Sequence, residues 1–280
     1  MTTEAEGWFS DAALQYWNPS EYYVDKSDRH WGFKNWNDWF TRRIRPEARP
    51  LPIIPKNKGA ITNSSDSYPL QYADASKGSN PAYNVQGYDN FWLKDNKYSL
   101  YDMLGAEKMG IKTLIDNHFV GGTVYQAFLD PWCYHRWHAP VTGTVVKSFK
   151  LGGTYYLDNP SYDLGNANHE IENYIDSQPL LSVVSVRQVF IIRMDNGKHV
   201  AVIEIGMAEV SSCQPTVIEG QRVNQGDQLG YFQFGGSSHA IIFDKSFKDL
   251  KFNPSINEST PDGPVKQKVN SWLCTYDPLV

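Results

Sequence analysis

The sequence predicts an α+β fold: a mainly antiparallel β-sandwich core with helices at its N-terminus and periphery. Three observations predict it. Aromatic residues recur at helical spacing before residue 50. From residue 120 onward, short runs rich in β-branched and aromatic residues are divided by Gly, Pro and Asn/Asp turns. Finally, 280 residues with 41% apolar content suffice to bury a substantial core.

In chain order, "NWNDWFTRRI" places Trp36, Trp39, Phe40 and Ile44 at helical spacing, an aromatic face that belongs against a core, and "RPEARPLP" then stops the helix with prolines. This defines an N-terminal helical segment, 1–50, ahead of a larger domain, 51–280. Within that domain "GTVYQAFL", "GTVVKSF", "LSVVSVRQVFIIRM", "HVAVIEIGMAEV" and "QLGYFQF" read as strands. Two polar stretches, 72–89 and 157–179, read as long loops, a length uncommon without a function. "APVTGTVV" and "VIEGQRVNQGDQLGYF" resemble the two halves of a biotinyl or lipoyl carrier domain. The modifiable lysine of such a carrier is missing, so the resemblance speaks for a related sandwich topology rather than for a carrier.

Charge and composition exclude several classes. With 26 basic against 31 acidic residues and a net charge of −5, no Lys/Arg run is long enough to follow a phosphate backbone, and nucleic acid is not an expected partner. No apolar stretch reaches bilayer-spanning length and "MTTEAEGWFS" lacks the pattern of a signal peptide, so the expectation is a cytoplasmic protein without a membrane partner. Cys133, Cys213 and Cys274 are odd in number and widely spaced, which predicts buried thiols.

The chemistry is expected in "FGGSSHAIIF", 234–243. A Gly-Gly-Ser-Ser run is ordinarily a flexible turn. Here it lies between two runs that read as buried strands, where a glycine before a serine permits unusual dihedrals and close backbone approach. Those are the conditions under which a hydroxyl can attack the preceding carbonyl, so the Gly236–Ser237 bond is a candidate for self-cleavage, with Gly235 and Ser238 as its supporting loop. A serine needs a base, and the base an orienting group. "YHRWHAP" supplies His135 and His138; as an H-x-x-H pair with no third ligand at metal spacing it reads as base rather than metal site, and no metal is expected. Asp66 in "ITNSSDSYPL" has, by spacing alone, only the look of a turn residue.

Five segments, "WNDWFTRRIRPEARPL", "KYSLYDML", "DPWCYHRWHAPVTGTV", "AVIEIGMAEVSSC" and "GDQLGYFQFGGSSHAIIF", resemble in order the corresponding segments of the phosphatidylserine decarboxylase family over most of residues 33 to 244. That family makes a pyruvoyl cofactor from its own chain by cleaving a Gly-Ser bond, usually within Leu-Gly-Ser-Thr. This chain has Gly235 for the leucine and Ser238 for the threonine, and keeps Gly236 and Ser237. The resemblance implies a pyruvoyl group generated from Ser237, without pyridoxal phosphate. It implies a β chain ending at Gly236 and an α chain beginning at residue 237. It further implies His138 as processing base, Asp66 as its orienting carboxylate and His135 as the group meeting substrate. The motif variants look closer to a soluble branch acting on free aromatic amino acids such as L-tryptophan. Phosphatidylserine is the alternative substrate, and a non-catalytic binding module the reading from another class.

Overall fold

In the computed structural model, residues 7–55, 58–70, 82–84, 90–93, 96–154, 180–207, 212–233, 237–260 and 263–278 are described. The predicted loop 157–179, Gly235 and Gly236 lie outside them, as does most of 72–89. The part of that loop that is described contains a short strand, Ala82–Asn84.

An α+β fold rich in antiparallel strands is present. Its centre is an open eight-stranded sheet in the order Arg222–Val223, Gly143–Leu151, Arg187–Met194, His199–Gly206, Ser237–Phe243, Thr123–Leu129 and Tyr68–Pro69, with Ala82–Asn84 also pairing onto Thr123–Leu129. Neighbours in the sheet run antiparallel. His199–Gly206 and Ser237–Phe243 are buried along their whole length, which requires cover on both faces.

Alternation along the Ser237–Phe243 strand shows the two cores. Ile241 and Phe243 join one apolar cluster with Phe190, Ile192, Val200 and Val202. Ala240 and Ile242 join the other with Val189, Ile191, Ala201 and Ile203, under the helices Leu100–Leu104, Ala106–Met109 and Lys112–His118. The first face is covered by a three-stranded sheet, Ser212–Pro215, Gln228–Gln233 and Arg136–His138, and by the aromatic residues of the N-terminal segment. The runs "QLGYFQF" and "HAIIF" thus fall in two strands of different sheets, Gln228–Gln233 and Ser237–Phe243.

The N-terminal segment has less helix than its aromatic spacing predicts. Only Asp11–Leu14 and Trp36–Phe40 are α-helical among the described residues up to 50, joined by 3-10 turns. Asn35 caps the second helix by accepting from the Asp38 amide at 2.9 Å, and the helix stops after Phe40, where Arg42 turns inward. Trp, Asn, Asp and Phe are indifferent helix formers, so packing decides the length. The expected packing does occur: Trp39 and Phe40 are fully buried, Trp36 and Trp39 stack, and Trp8 meets Trp36 edge-on and Trp39 and Trp132 at a tilt.

Candidate active site

Ser237 is the first residue of its strand, opposite Gly206 on one side and Leu129 on the other, and is 2% exposed. Its Oγ lies 3.3 Å from Nδ1 of His135, itself fully buried. The imidazole is stacked on Phe40 with ring centroids 3.9 Å apart and meets Phe232 edge-on. Burial, reinforced by the Arg42 charge, pushes the ring well below its ordinary value, against the pull of the Pro131 and Asp130 carbonyls. His135 is therefore neutral at physiological pH, a state in which a ring nitrogen can take a proton. Its Nε2 has no hydrogen-bond partner.

Arg42 holds this pocket from the N-terminal segment. Its guanidinium is 2% exposed, donates to the carbonyls of Trp39, Trp132 and Cys133, and sits over the Tyr22 and Trp39 rings. A buried cation held by carbonyls and aromatic faces keeps its full positive field, which is why it acts on His135.

His138 is placed differently. Its Nδ1 donates to the Gly226 carbonyl at 2.7 Å, which leaves Nε2 as the lone-pair nitrogen, and that atom accepts from the Tyr134 hydroxyl at 3.0 Å. Gly226 offers its carbonyl from a turn at φ +87°, a conformation that favours glycine. Burial lowers the His138 pKa, opposed by the Gly226 carbonyl and the negative field of Asp66. The ring borders a cavity of about 780 Å³ whose walls include Tyr23, Arg43, Tyr134 and Arg136.

Asp66 is 2% exposed and bonded elsewhere: Arg49 donates to it through Nε at 3.1 Å and Nη2 at 2.7 Å, and the Val269 amide at 2.6 Å. It makes no hydrogen bond to His138, so its link to that ring is through the field alone. Of the predicted residues, the structure brings Ser237 and His135 together and leaves His138 and Asp66 each with other partners. Ser238 faces the other way and donates to the Ala127 carbonyl at 3.1 Å.

Sequence reasoning passed over a neighbouring group. His239, two residues after Ser237 and so on the same face of the strand, lies across from Glu204. Its Nδ1 meets the Ser64 hydroxyl at 3.1 Å and its Nε2 the Ser67 hydroxyl at 2.9 Å, while Ser64 also reaches Glu204 Oε1 at 3.3 Å. All four are fully buried. Burial drives the His239 pKa down to about 3 and raises that of Glu204 well above its ordinary value, in each case favouring the neutral form. A signal for this group existed: a lone carboxylate inside the apolar run "HVAVIEIG".

Residues 36–265 match the phosphatidylserine decarboxylase family. The chain is 39% identical over 260 residues to Decarboxylase iboD of Amanita muscaria, covering 87% of this chain and 70% of that protein. It is 34% identical over 248 residues to the L-tryptophan decarboxylase of Psilocybe cubensis, covering 84% of this chain and 54% of that one, so the chain spans about half of that relative's length. It is 30% identical over 213 residues to phosphatidylserine decarboxylase proenzyme 3 of Schizosaccharomyces pombe, covering 76% of this chain and 19% of that protein. With the family match spanning most of the sequence and a buried serine held against a neutral histidine, the chain belongs to the phosphatidylserine decarboxylase family.

Proposed function

We propose that this chain is a self-processing decarboxylase that cuts its own backbone between Gly236 and Ser237 and then removes the carboxylate of a free, aromatic amino acid. The contact between Ser237 Oγ and His135 Nδ1 carries the reading. A hydroxyl buried among apolar side chains is a poor nucleophile without a base, and here a neutral imidazole meets it in a site sealed from water.

In the first stage Ser237 Oγ attacks the Gly236 carbonyl carbon as its proton passes to His135, and the peptide becomes an ester. Elimination of the Gly236 carboxylate leaves a dehydroalanine, which takes up water and releases ammonia to become the keto group of a pyruvoyl. The residues fit such a group: Ser237 heads its strand, so cleavage frees a chain end already fixed by pairing to both neighbouring strands. When formed, the pyruvoyl supplies an electron sink for the departing carboxylate. His135 remains the ring nearest that end and holds or returns the proton there. The family resemblance gives proton removal to His138 instead. One observation favours that second reading: the Gly226 carbonyl fixes the His138 tautomer so that Nε2 is a lone pair, with Asp66 supporting positive charge on the ring.

The free amino acid rather than the phospholipid is proposed because identity is 34% to the L-tryptophan decarboxylase but 30% to the phosphatidylserine proenzyme. Tyr134, Tyr23, Arg43 and Arg136 around the cavity beside His138 offer aromatic faces and carboxylate partners for such a substrate. Among the described residues no helix is long and apolar enough to cross a membrane. For the scaffold, the proposed kinship with biotinyl and lipoyl sandwiches rests on the turn at Gly226, φ +87°, and on the close approach of Gly143 to the Arg193 backbone across the sheet. The division at residue 50 is likewise proposed, with the first segment contributing Phe40 and Arg42 to the pocket of the second.

Intact-mass measurement of freshly made protein tests the first stage: two fragments meeting at residue 237 are expected, and an undivided active chain would refute it. Carbon dioxide release from tryptophan, tyrosine and phosphatidylserine micelles tests the second, and release from the lipid alone would reverse the assignment.

A further inference from the structure

At the opposite end of the Ser237–Phe243 strand, roughly 20 Å from the serine at a rise of about 3.4 Å per residue, three side chains converge that the decarboxylation chemistry does not use. His118 ends the helix Lys112–His118, His199 opens the strand next in the sheet, and Asp244 follows Phe243 directly. One ligand atom from each lies within 4.8 Å of the others. His118 Nδ1 is 2.8 Å and His199 Nδ1 3.5 Å from Asp244 Oδ2, and the two imidazoles lie with centroids 3.7 Å apart. His199 is 7% exposed, and its Nδ1 is buried without a hydrogen-bond partner. A buried ring nitrogen aimed at a carboxylate, beside a second imidazole aimed at the same oxygen, is an arrangement that a cation completes.

We propose that His118, His199 and Asp244 bind one divalent transition-metal ion of the zinc type, with a fourth position left for water beside the His118 ring, whose side chain is 31% exposed. Two imidazoles and one carboxylate favour zinc or cobalt over magnesium or calcium, which take oxygen ligands. Ligands on a zinc tetrahedron stand about 3.3 Å apart for bonds of about 2.0 Å, so the His199 pair already has that spacing and the His118 pair opens by a few tenths of an ångström. The ammonium groups of the chain neighbours Lys198 and Lys245 donate elsewhere, to the Ser246 and Asp116 carbonyls. The ligand set also crosses the self-cleavage point. His118 and His199 precede residue 237 and Asp244 follows it, so the ion would tie the two product chains together. That consequence, unlike the site itself, rests on the cleavage proposed above.

The test uses protein freed of any affinity tag and stripped with chelator, first as the Ser237→Ala variant, which stays in one piece. Titration with cobalt should give one equivalent bound with the intense visible absorption of a tetrahedral site, displaced by zinc. His199→Ala should abolish it, and His118→Ala, a change at a partly exposed helix end that the fold should tolerate, should weaken binding at least tenfold. No saturable binding, or equal binding in a folded His118→Ala variant, would overturn the site. In self-cleaved wild type, stripping the metal should lower the melting temperature by more than it does in Ser237→Ala; equal shifts would overturn the tie between chains. A wild type that fails to cleave refutes the maturation reading while the Ser237→Ala titration still decides the metal.

Discussion

His135 and His239 are both fully buried and both neutral, yet they are wired in opposite ways. His239 has a serine hydroxyl on each ring nitrogen, so nothing about it is left over. His135 has one nitrogen on the Ser237 hydroxyl and the other without a partner, in a pocket made from Phe40 and within the field of Arg42. Burying an unpaired polar atom costs stability, so the His135 pocket is the less satisfied of the two. The difference teaches that burial alone does not set what a histidine can do; the partners the fold leaves on each ring nitrogen differ even where burial is the same.

The largest expected effect breaks the reacting pair itself: Ser237→Ala should leave a single undivided polypeptide on a denaturing gel and release no carbon dioxide. Next, His135→Ala should slow cleavage by about 10²- to 10⁴-fold, whereas His239→Ala should leave it within about tenfold and appear as a loss of folding stability of about 1–3 kcal/mol from the stranded Ser64 and Ser67 hydroxyls. Measuring cleavage time courses for both, with His138→Ala beside them, decides among the three rings; a larger effect at His138 would move the processing step to that residue. Third, Asp66→Asn leaves the buried Arg49 cation with Glu21, 2.9 Å from Nη1, as its remaining carboxylate and should cost about 1–3 kcal/mol in denaturant unfolding, a structural penalty that separates the role of Asp66 from proton transfer.

The smallest effect is in pH. His239 titrates near 3 in the folded chain against 6.5 when exposed, so between those values the unfolded state alone binds the proton. Stability present above about pH 6.5 is therefore lost as pH falls, at up to about 1.4 kcal/mol per unit for this one group. Glu204 has the opposite sign: its folded pKa is raised above 4.5, so the native state alone holds the proton above that value and stability falls as pH rises. Urea unfolding across pH 4 to 8 should show Glu204→Gln losing the second slope and keeping the first. An unchanged profile would mean that Glu204 is ionised in the native state.

Much of this protein follows from local sequence. The runs "GTVYQAFL", "GTVVKSF" and "HAIIF" form strands because their β-branched and aromatic residues act within a few positions, and Ser237 stands out because Gly-Gly-Ser-Ser breaks such a run. The aromatic face of "WNDWF" packs on the core as its spacing predicts. The length of that helix does not follow from spacing, because the inward turn of Arg42 depends on carbonyls some ninety residues away.

What tertiary structure alone decided is which partner each polar side chain has. Asp66 lies in a serine-rich turn that any sequence reader would leave exposed, but Arg49 and the Val269 amide, about 200 residues on, draw it into the interior. His135 and His138 are equivalent in "YHRWHAP", and only the meeting of that segment with Ser237, Tyr134 and Gly226 makes them unlike. Side-chain chemistry is written in the sequence. The desolvation and the distances that set its protonation arise only when segments far apart in the chain are packed together.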